Sequence, residues 1–95
     1  MAKWKLKKKM DQLFACPCCG YLTLSDPPPG TFEICDVCRW EDDDFQFNHP
    51  NYEGGANEES LNKAKINFLK FGASSESKIK NAREPLPNEI PPNPD

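Results

Sequence analysis

A small α+β fold is what the sequence predicts: a short antiparallel β module carrying two cysteine turns, packed by one amphipathic helix and followed by an extended, proline-rich tail. Three observations carry that expectation. Cysteines stand three apart in Cys16-Pro17-Cys18-Cys19 and again in Cys35-Asp36-Val37-Cys38. Short alternating runs of β-favouring residues lie beside them. One stretch of helical periodicity follows, over about residues 58–71.

Composition explains why the cysteines come first. A chain of 95 residues with 37% hydrophobic side chains, 28% charged ones and ten prolines buries only a modest apolar cluster, and folds of this size call for a staple. The compartment selects the staple. The start, MAKWKLKKKMDQLFA, is basic, but no apolar run of about 7–15 residues follows it, so it does not read as a secretory signal. No stretch approaches the roughly 20 apolar residues of a membrane span. The chain is therefore expected in the cytoplasm, away from membranes, where thiols stay reduced. Paired cysteines there read as metal ligands before they read as disulfides.

The elements follow in order, and three regions are expected. Residues 1–13 form a basic lead-in, in which Trp4, Leu6, Met10 and Leu13 are candidates to touch the core. Residues 14–83 form a single metal-binding domain, and residues 84–95 a tail. Within the domain, Tyr21-Leu22-Thr23-Leu24 and Thr31-Phe32-Glu33-Ile34 alternate as strands do. Between them SDPPPG forces a turn, because three prolines withhold N–H donors. The two runs are thus expected to pair, each arm carrying one cysteine turn. The acidic run at 41–44 is expected to face water; a calcium or magnesium site there is the lesser reading. QFNHPNYEGGAN at 46–57 reads as loop.

The helix is expected to begin at Asn57 as N-cap, with Glu58 and Glu59 in its first turn and Gly72 beyond its end. Leu61, Ala64, Phe68 and Phe71 make one apolar stripe, which Ile66 and Leu69 widen. Its expected role is to lie over the sheet. SSESKIKNAR at 74–83 suits a further short helix. EPLPNEIPPNPD holds five prolines in its twelve residues and reads as polyproline-like.

Five cysteines are one more than a tetrahedral site needs. Ligands at i and i+3 let the turn between them aim backbone N–H groups at the first sulfur. Pro17 stiffens the first turn, and Gly20 is free to adopt the left-handed conformation after it. Adjacent side chains such as Cys18 and Cys19 point apart. Cys16, Cys19, Cys35 and Cys38 are therefore the expected ligands, and Cys18 is the extra thiol. The gap of 15 residues between the pairs fits the C-x2-C-x15–20-C-x2-C class of zinc sites. Arg39 stands where a second knuckle often has glycine. A left-handed turn there costs about 1 kcal/mol, and its guanidinium is expected to offset the excess charge of four thiolates on a divalent ion.

Zinc is the first choice for four soft, tetrahedral thiolates that leave no position for water. With zinc bound as four thiolates, the formal charge of −3 becomes about −5. Iron is the rival, since C-x-x-C-G-Y before a second C-x-x-C also suits a rubredoxin-type electron-transfer centre.

The stretches CPCCGYLTL, EICDVCRWEDD, GGAN with SL, the NF…FG helix end and AREP resemble the bacterial cysteine-rich CPCC family. The resemblance implies a small zinc-binding domain of zinc-ribbon-like, knuckle-bearing type. It makes Cys18 part of the pattern, and implies fixed structural roles for Trp40 and the turn at 54–57. No reaction comes with it.

No nucleophile–base pair, phosphate loop or catalytic carboxylate pair stands out, so the chain is not expected to be an enzyme. The leading expectation is a non-catalytic zinc module whose partner is another protein. The alternatives are a redox role through Cys18, which requires an exposed thiol of low pKa, and nucleic-acid binding through the lysines of KWKLKKK. Residues 1–15 carry +4, but residues 33–59 carry −8, an unpromising surface for phosphate. His49, before Pro50, reads as an exposed loop residue rather than a ligand.

Overall fold

The computed structural model of the protein describes residues 12–92. Each cysteine turn closes its own hairpin. Phe14–Ala15 (β1) and Leu22–Leu24 (β2) pair antiparallel across the first turn, Phe14 with Leu24 and Ala15 with Leu22, the register slipping by one residue between them. Ile34 and Glu41 form an isolated bridge across the second. The runs at 21–24 and 31–34 therefore do not pair with each other as expected. A cysteine turn reverses the chain by itself, so the nearest antiparallel partner of each run lies across its own turn. SDPPPG links the two hairpins instead, tied by the Glu33 carboxylate, which accepts from the Ser25 backbone and hydroxyl, each at 2.9 Å, and from the Asp26 amide at 3.2 Å.

The acidic run departs further from expectation. Asp44–Asn48 form a short helix, α1, although the sequence predicts loop from residue 46. Asp43 is its N-cap, accepting from the amides of Phe45 at 2.8 Å and Gln46 at 3.2 Å, and also from Ala56 at 2.8 Å. Burial alone would raise the Asp43 carboxyl; the three backbone donors outweigh it and hold it below the ordinary range. Asp42 is buried, its Oδ2 accepting from the Thr31 amide and hydroxyl at 2.9 and 2.8 Å. The run is thus a capping and bracing element, and only partly a solvated face.

Helix α2 spans Leu61–Phe71, starting later than the expected position 58. Ser60, not Asn57, is the N-cap, its hydroxyl accepting from the Lys63 amide at 3.1 Å. Asn57 is taken inward instead: its Oδ1 accepts from the Glu41 amide at 2.9 Å, and its Nδ2 donates to the Glu41 carbonyl at 2.8 Å. Glu58 and Glu59 consequently lie outside the first turn. At the far end Gly72 adopts φ +77° and its amide bonds to the Phe68 carbonyl at 2.9 Å. Leu61, Ala64 and Asn67 are the buried residues, and Phe68 is half-buried; Phe71, Ile66 and Leu69 are exposed. The buried stripe is narrower than predicted because the face it covers is largely the cysteine cluster with Trp40 and Val37.

Glu76–Asn81 form a 3₁₀ helix capped by Ser75, in the place where a short helix was expected. Two backbone bonds clip the C-terminal part to the second cysteine turn: Ser74 N–H to the Cys38 carbonyl at 2.8 Å and Arg83 N–H to the Val37 carbonyl at 3.1 Å. The tail is not wholly extended. Pro87–Glu89 make a single 3₁₀ turn, which Pro87 begins without needing an amide donor. Buried Glu89 accepts from both terminal nitrogens of Arg83, at 2.9 and 2.8 Å, and from the Leu86 amide at 2.8 Å. Any role of Trp4, Leu6 and Met10 in the core lies outside the described residues, as do positions 93–95.

The Glu89 clip has a definite pH dependence. Its hydrogen bond to Arg83 holds the carboxyl below its ordinary value of 4.5. A depressed folded pKa stabilises fully above the unfolded value and is lost as pH falls through the folded value. The Leu86 and Glu89 amides are therefore expected to lose protection, relative to the intrinsic exchange rate at each pH, as pH falls below about 4.5. Glu89→Gln makes them exchange fast already at neutral pH, which hydrogen-exchange NMR reads directly. Unchanged protection in that variant would rule the clip out.

Candidate metal centre

The two cysteine turns repeat one backbone pattern. In the first, the Cys16 amide bonds to the Tyr21 carbonyl at 2.9 Å and the Gly20 amide to the Cys16 carbonyl at 2.8 Å; in the second, Cys35 to Trp40 and Arg39 to Cys35 do the same at the same distances. Each loop thereby returns on itself and turns its two cysteines to one side. The pattern demands a left-handed residue after the second cysteine. Gly20 supplies it at φ +82° and Arg39 at φ +71°, the position at which the sequence anticipates a cost. Arg39→Gly is expected to leave the fold intact and raise its stability by up to about 1 kcal/mol, read as a higher thermal midpoint of the metal-loaded protein. A lower midpoint would show that the side chain contributes more than the backbone strain takes away.

The Sγ atoms of Cys16, Cys19, Cys35 and Cys38 all lie within 4.8 Å of one another. Cys16 and Cys38 approach to 3.7 Å and Cys19 and Cys35 to 3.6 Å. A tetrahedral ion with metal–sulfur bonds near 2.3 Å sets sulfurs about 3.8 Å apart, so the cage has the right size. Cys16, Cys35 and Cys38 are buried and Cys19 half-buried, and all remain free thiols rather than disulfides.

Donors to sulfur complete the centre. The Cys18 amide points to Cys16 Sγ and the Cys38 amide to Cys35 Sγ, both at 3.4 Å. The Thr23 hydroxyl donates to Cys35 Sγ at 3.0 Å. Thr23 was not a candidate: it sits in a strand run whose sequence gives no sign that it reaches across to the other knuckle. Trp40, 1% exposed, packs in the same cluster with Val37, Leu61 and Ala64.

Charge decides what the cage can hold. Hydrogen bonds from Cys16, then Cys19 and Cys38, depress the Cys35 thiol. Cys38 is pushed far above the ordinary thiol range by its contact with Cys16 first, and Cys16 by its contact with Cys19. The protein alone thus accommodates one thiolate and resists four. A cation at the centre removes that repulsion, because metal binding expels the thiol protons. A four-cysteine group able to hold a metal ion is what this geometry defines.

The remaining candidates fall elsewhere. Cys18 is buried at 8% exposure, short of the access a redox thiol requires. His49 lies at the exposed end of α1, stacked on Phe45 at 4.1 Å and distant in role from the cage. Arg39 pairs with Asp36 at 3.5 Å. Among the described residues the four cysteines are the one group of three or more His, Cys, Asp or Glu side chains placed to hold an ion, so the run at 41–44 forms no second cage. No helix among the described residues is long and apolar enough to cross a membrane.

The fold and cage define a small mixed α/β protein built on a pair of cysteine knuckles. Its family follows from comparison with known families: the chain belongs to the Cysteine-rich CPCC family, whose model matches residues 14–89. No curated protein matches the chain.

Proposed function

We propose that Cys16, Cys19, Cys35 and Cys38 bind one zinc ion as a structural centre, and that the protein is a non-catalytic module for binding another protein. The observation that carries the reading is the closed cage itself: four sulfurs within 4.8 Å of one another, most of them buried. Four thiolates fill the coordination of zinc and leave no position for an activated water. Amide and hydroxyl donors lower the charge on the sulfurs without adding a group that can take or give a proton in a reaction. What remains for the chain to act with is its surface. Among the described residues eleven large hydrophobic side chains are exposed, against a formal charge that disfavours nucleic acid.

Elemental analysis of untagged protein tests the metal: one zinc per chain and no colour is the expected result. A red protein with an iron absorption band would replace this reading with electron transfer. Partner capture tests the module. The zinc-loaded chain is expected to retain a reproducible protein from native extract, and the Cys35→Ser chain is not. Capture of nothing by the folded form would remove the interaction role while leaving the zinc assignment intact.

A further inference from the structure

The surface around α1 combines three properties that no structural need of the cage explains. The first is aromatic. Phe45, Phe47 and Tyr52 are each 40–49% exposed, and they are ordered rather than isolated. His49 stacks on Phe45 with ring planes 18° apart, and Tyr52 meets Phe45 edge-on at 4.7 Å. Phe32 belongs to the loop beside them. Two residues before it, Gly30 lies so close to α1 that an added Cβ would stand 3.4 Å from Asp44 Cβ. Phe32 is 62% exposed and held at φ +59°, a conformation that costs a bulky residue energy and is kept chiefly at functional positions.

The second property is charge. Residues 41–59 contain seven acids and no lysine or arginine. Among the described residues every ion pair involves Asp36 or Glu89, and none of these seven is in one. Asp42 and Asp43 serve the fold, as described above. Glu41, Asp44, Glu53, Glu58 and Glu59 do not neutralise any cation there.

The third is rigidity beneath. Gln46 is fully buried and its side-chain amide donates to the carbonyls of Tyr52, Asn57 and Glu59 at 2.9–3.1 Å. The exposed rings therefore stand on a fixed base, so binding through them loses little conformational freedom. Aromatic side chains on a preorganised surface are the usual anchors of protein recognition.

We propose that this face is the docking surface of the module and that its occupant is a lysine- and arginine-rich segment of a partner protein with interspersed apolar side chains. Charge complementarity selects that occupant: the cations meet the carboxylates of this face, cationic heads and their alkyl stems lie on the ring faces, and apolar side chains cover the rings. An acidic or purely aliphatic segment would leave the carboxylates repelled or dry. This inference rests on the protein-binding reading above and names the surface and partner chemistry for it.

The test uses the full zinc-loaded chain and a fluorescent peptide of alternating lysine and leucine, followed by anisotropy. Saturable binding is expected, with the peptide in which glutamate replaces lysine showing none. Phe45→Ala is expected to weaken binding by about tenfold, and Asp44→Asn with Glu53→Gln to weaken it and flatten its salt dependence. Leu69→Ala, on the outer face of α2, is expected to leave it unchanged. Circular dichroism verifies that each variant stays folded. Binding that responds to the carboxylate changes but not to Phe45→Ala is diffuse attraction to an acidic protein, and overturns the proposal. Equal loss in Leu69→Ala, or no binding, also overturns it. If Phe45→Ala still captures the partner from extract, this surface is wrong and the protein-binding reading stands.

Discussion

Cys35→Ser is expected to leave the chain without a cooperative fold under conditions in which the unsubstituted protein folds. Cys35 is wholly buried and receives more donors than any other sulfur of the cage: Thr23 Oγ1 at 3.0 Å and the Cys38 amide at 3.4 Å, besides its contact with Cys19. Contacts from Cys16, then Cys19 and Cys38, hold its thiol below the ordinary range, and the two further donors favour a negative sulfur there. A hydroxyl in its place is a poor ligand for a soft ion and leaves three thiols that resist losing their protons. Structural zinc contributes on the order of 10–16 kcal/mol in small peptides, as much as the entire stability of an ordinary domain. Stripping the ion with a chelator under reducing conditions is expected to have the same result. Far-ultraviolet circular dichroism and the dispersion of amide resonances measure both. A stripped chain that keeps its resonances would show that Trp40, Leu61 and their neighbours hold the fold without the ion.

Gln46→Leu is the second large effect, although the residue touches neither the cage nor the solvent. Its Nε2 meets three carbonyls, and its Oε1 accepts from the Asn57 amide and from Asn57 Nδ2, both at 3.0 Å. Leucine has similar bulk but answers none of these groups. Each buried group left without a partner costs about 1–3 kcal/mol, so a loss of about 3 kcal/mol or more is expected. A residue-resolved hydrogen-exchange experiment should show the opening concentrated between residues 43 and 60. Gly55 lies under the same constraint: a side chain there would meet Gln46 and Asp43 atoms within 2.9 Å, and Gly55→Ala is expected to loosen the same region. Wild-type stability in Gln46→Leu would mean that these backbone groups find other partners.

These two predictions mark what could and could not be read from the residues. The convergence of Cys16, Cys19, Cys35 and Cys38 was legible because ligand spacing is a local property: three residues apart fixes which side chains share a side of a turn. Cys18 was set aside by the same local argument. Helix α2 was legible through its period, though its start was not, because two good caps, Asn57 and Ser60, stand three residues apart. Local preference does not separate them. The choice was made by Glu41, sixteen positions away, whose backbone Asn57 satisfies.

The acidic run misled for the same reason. Four consecutive acids look alike in sequence, yet Asp42 is buried on Thr31, Asp43 caps α1 and braces Ala56, Glu41 is half-buried and Asp44 is exposed. Only the neighbouring segments assign those roles. The runs at 21–24 and 31–34 look like partners because the proline stretch reads as a chain reversal, whereas each cysteine turn already provides one.

The clips from Ser74 and Arg83 onto Cys38 and Val37 bear on how the molecule comes into being. All four cysteines of the cage precede position 39, whereas the groups that brace the second knuckle from behind stand some 35 to 45 residues further on. Every candidate ligand therefore lies upstream of the bracing segment, so the capture of an ion by the four sulfurs would not need that segment in place. Residues 74–83 would then close over a loaded centre as a latch on the second knuckle rather than as a gate for the metal.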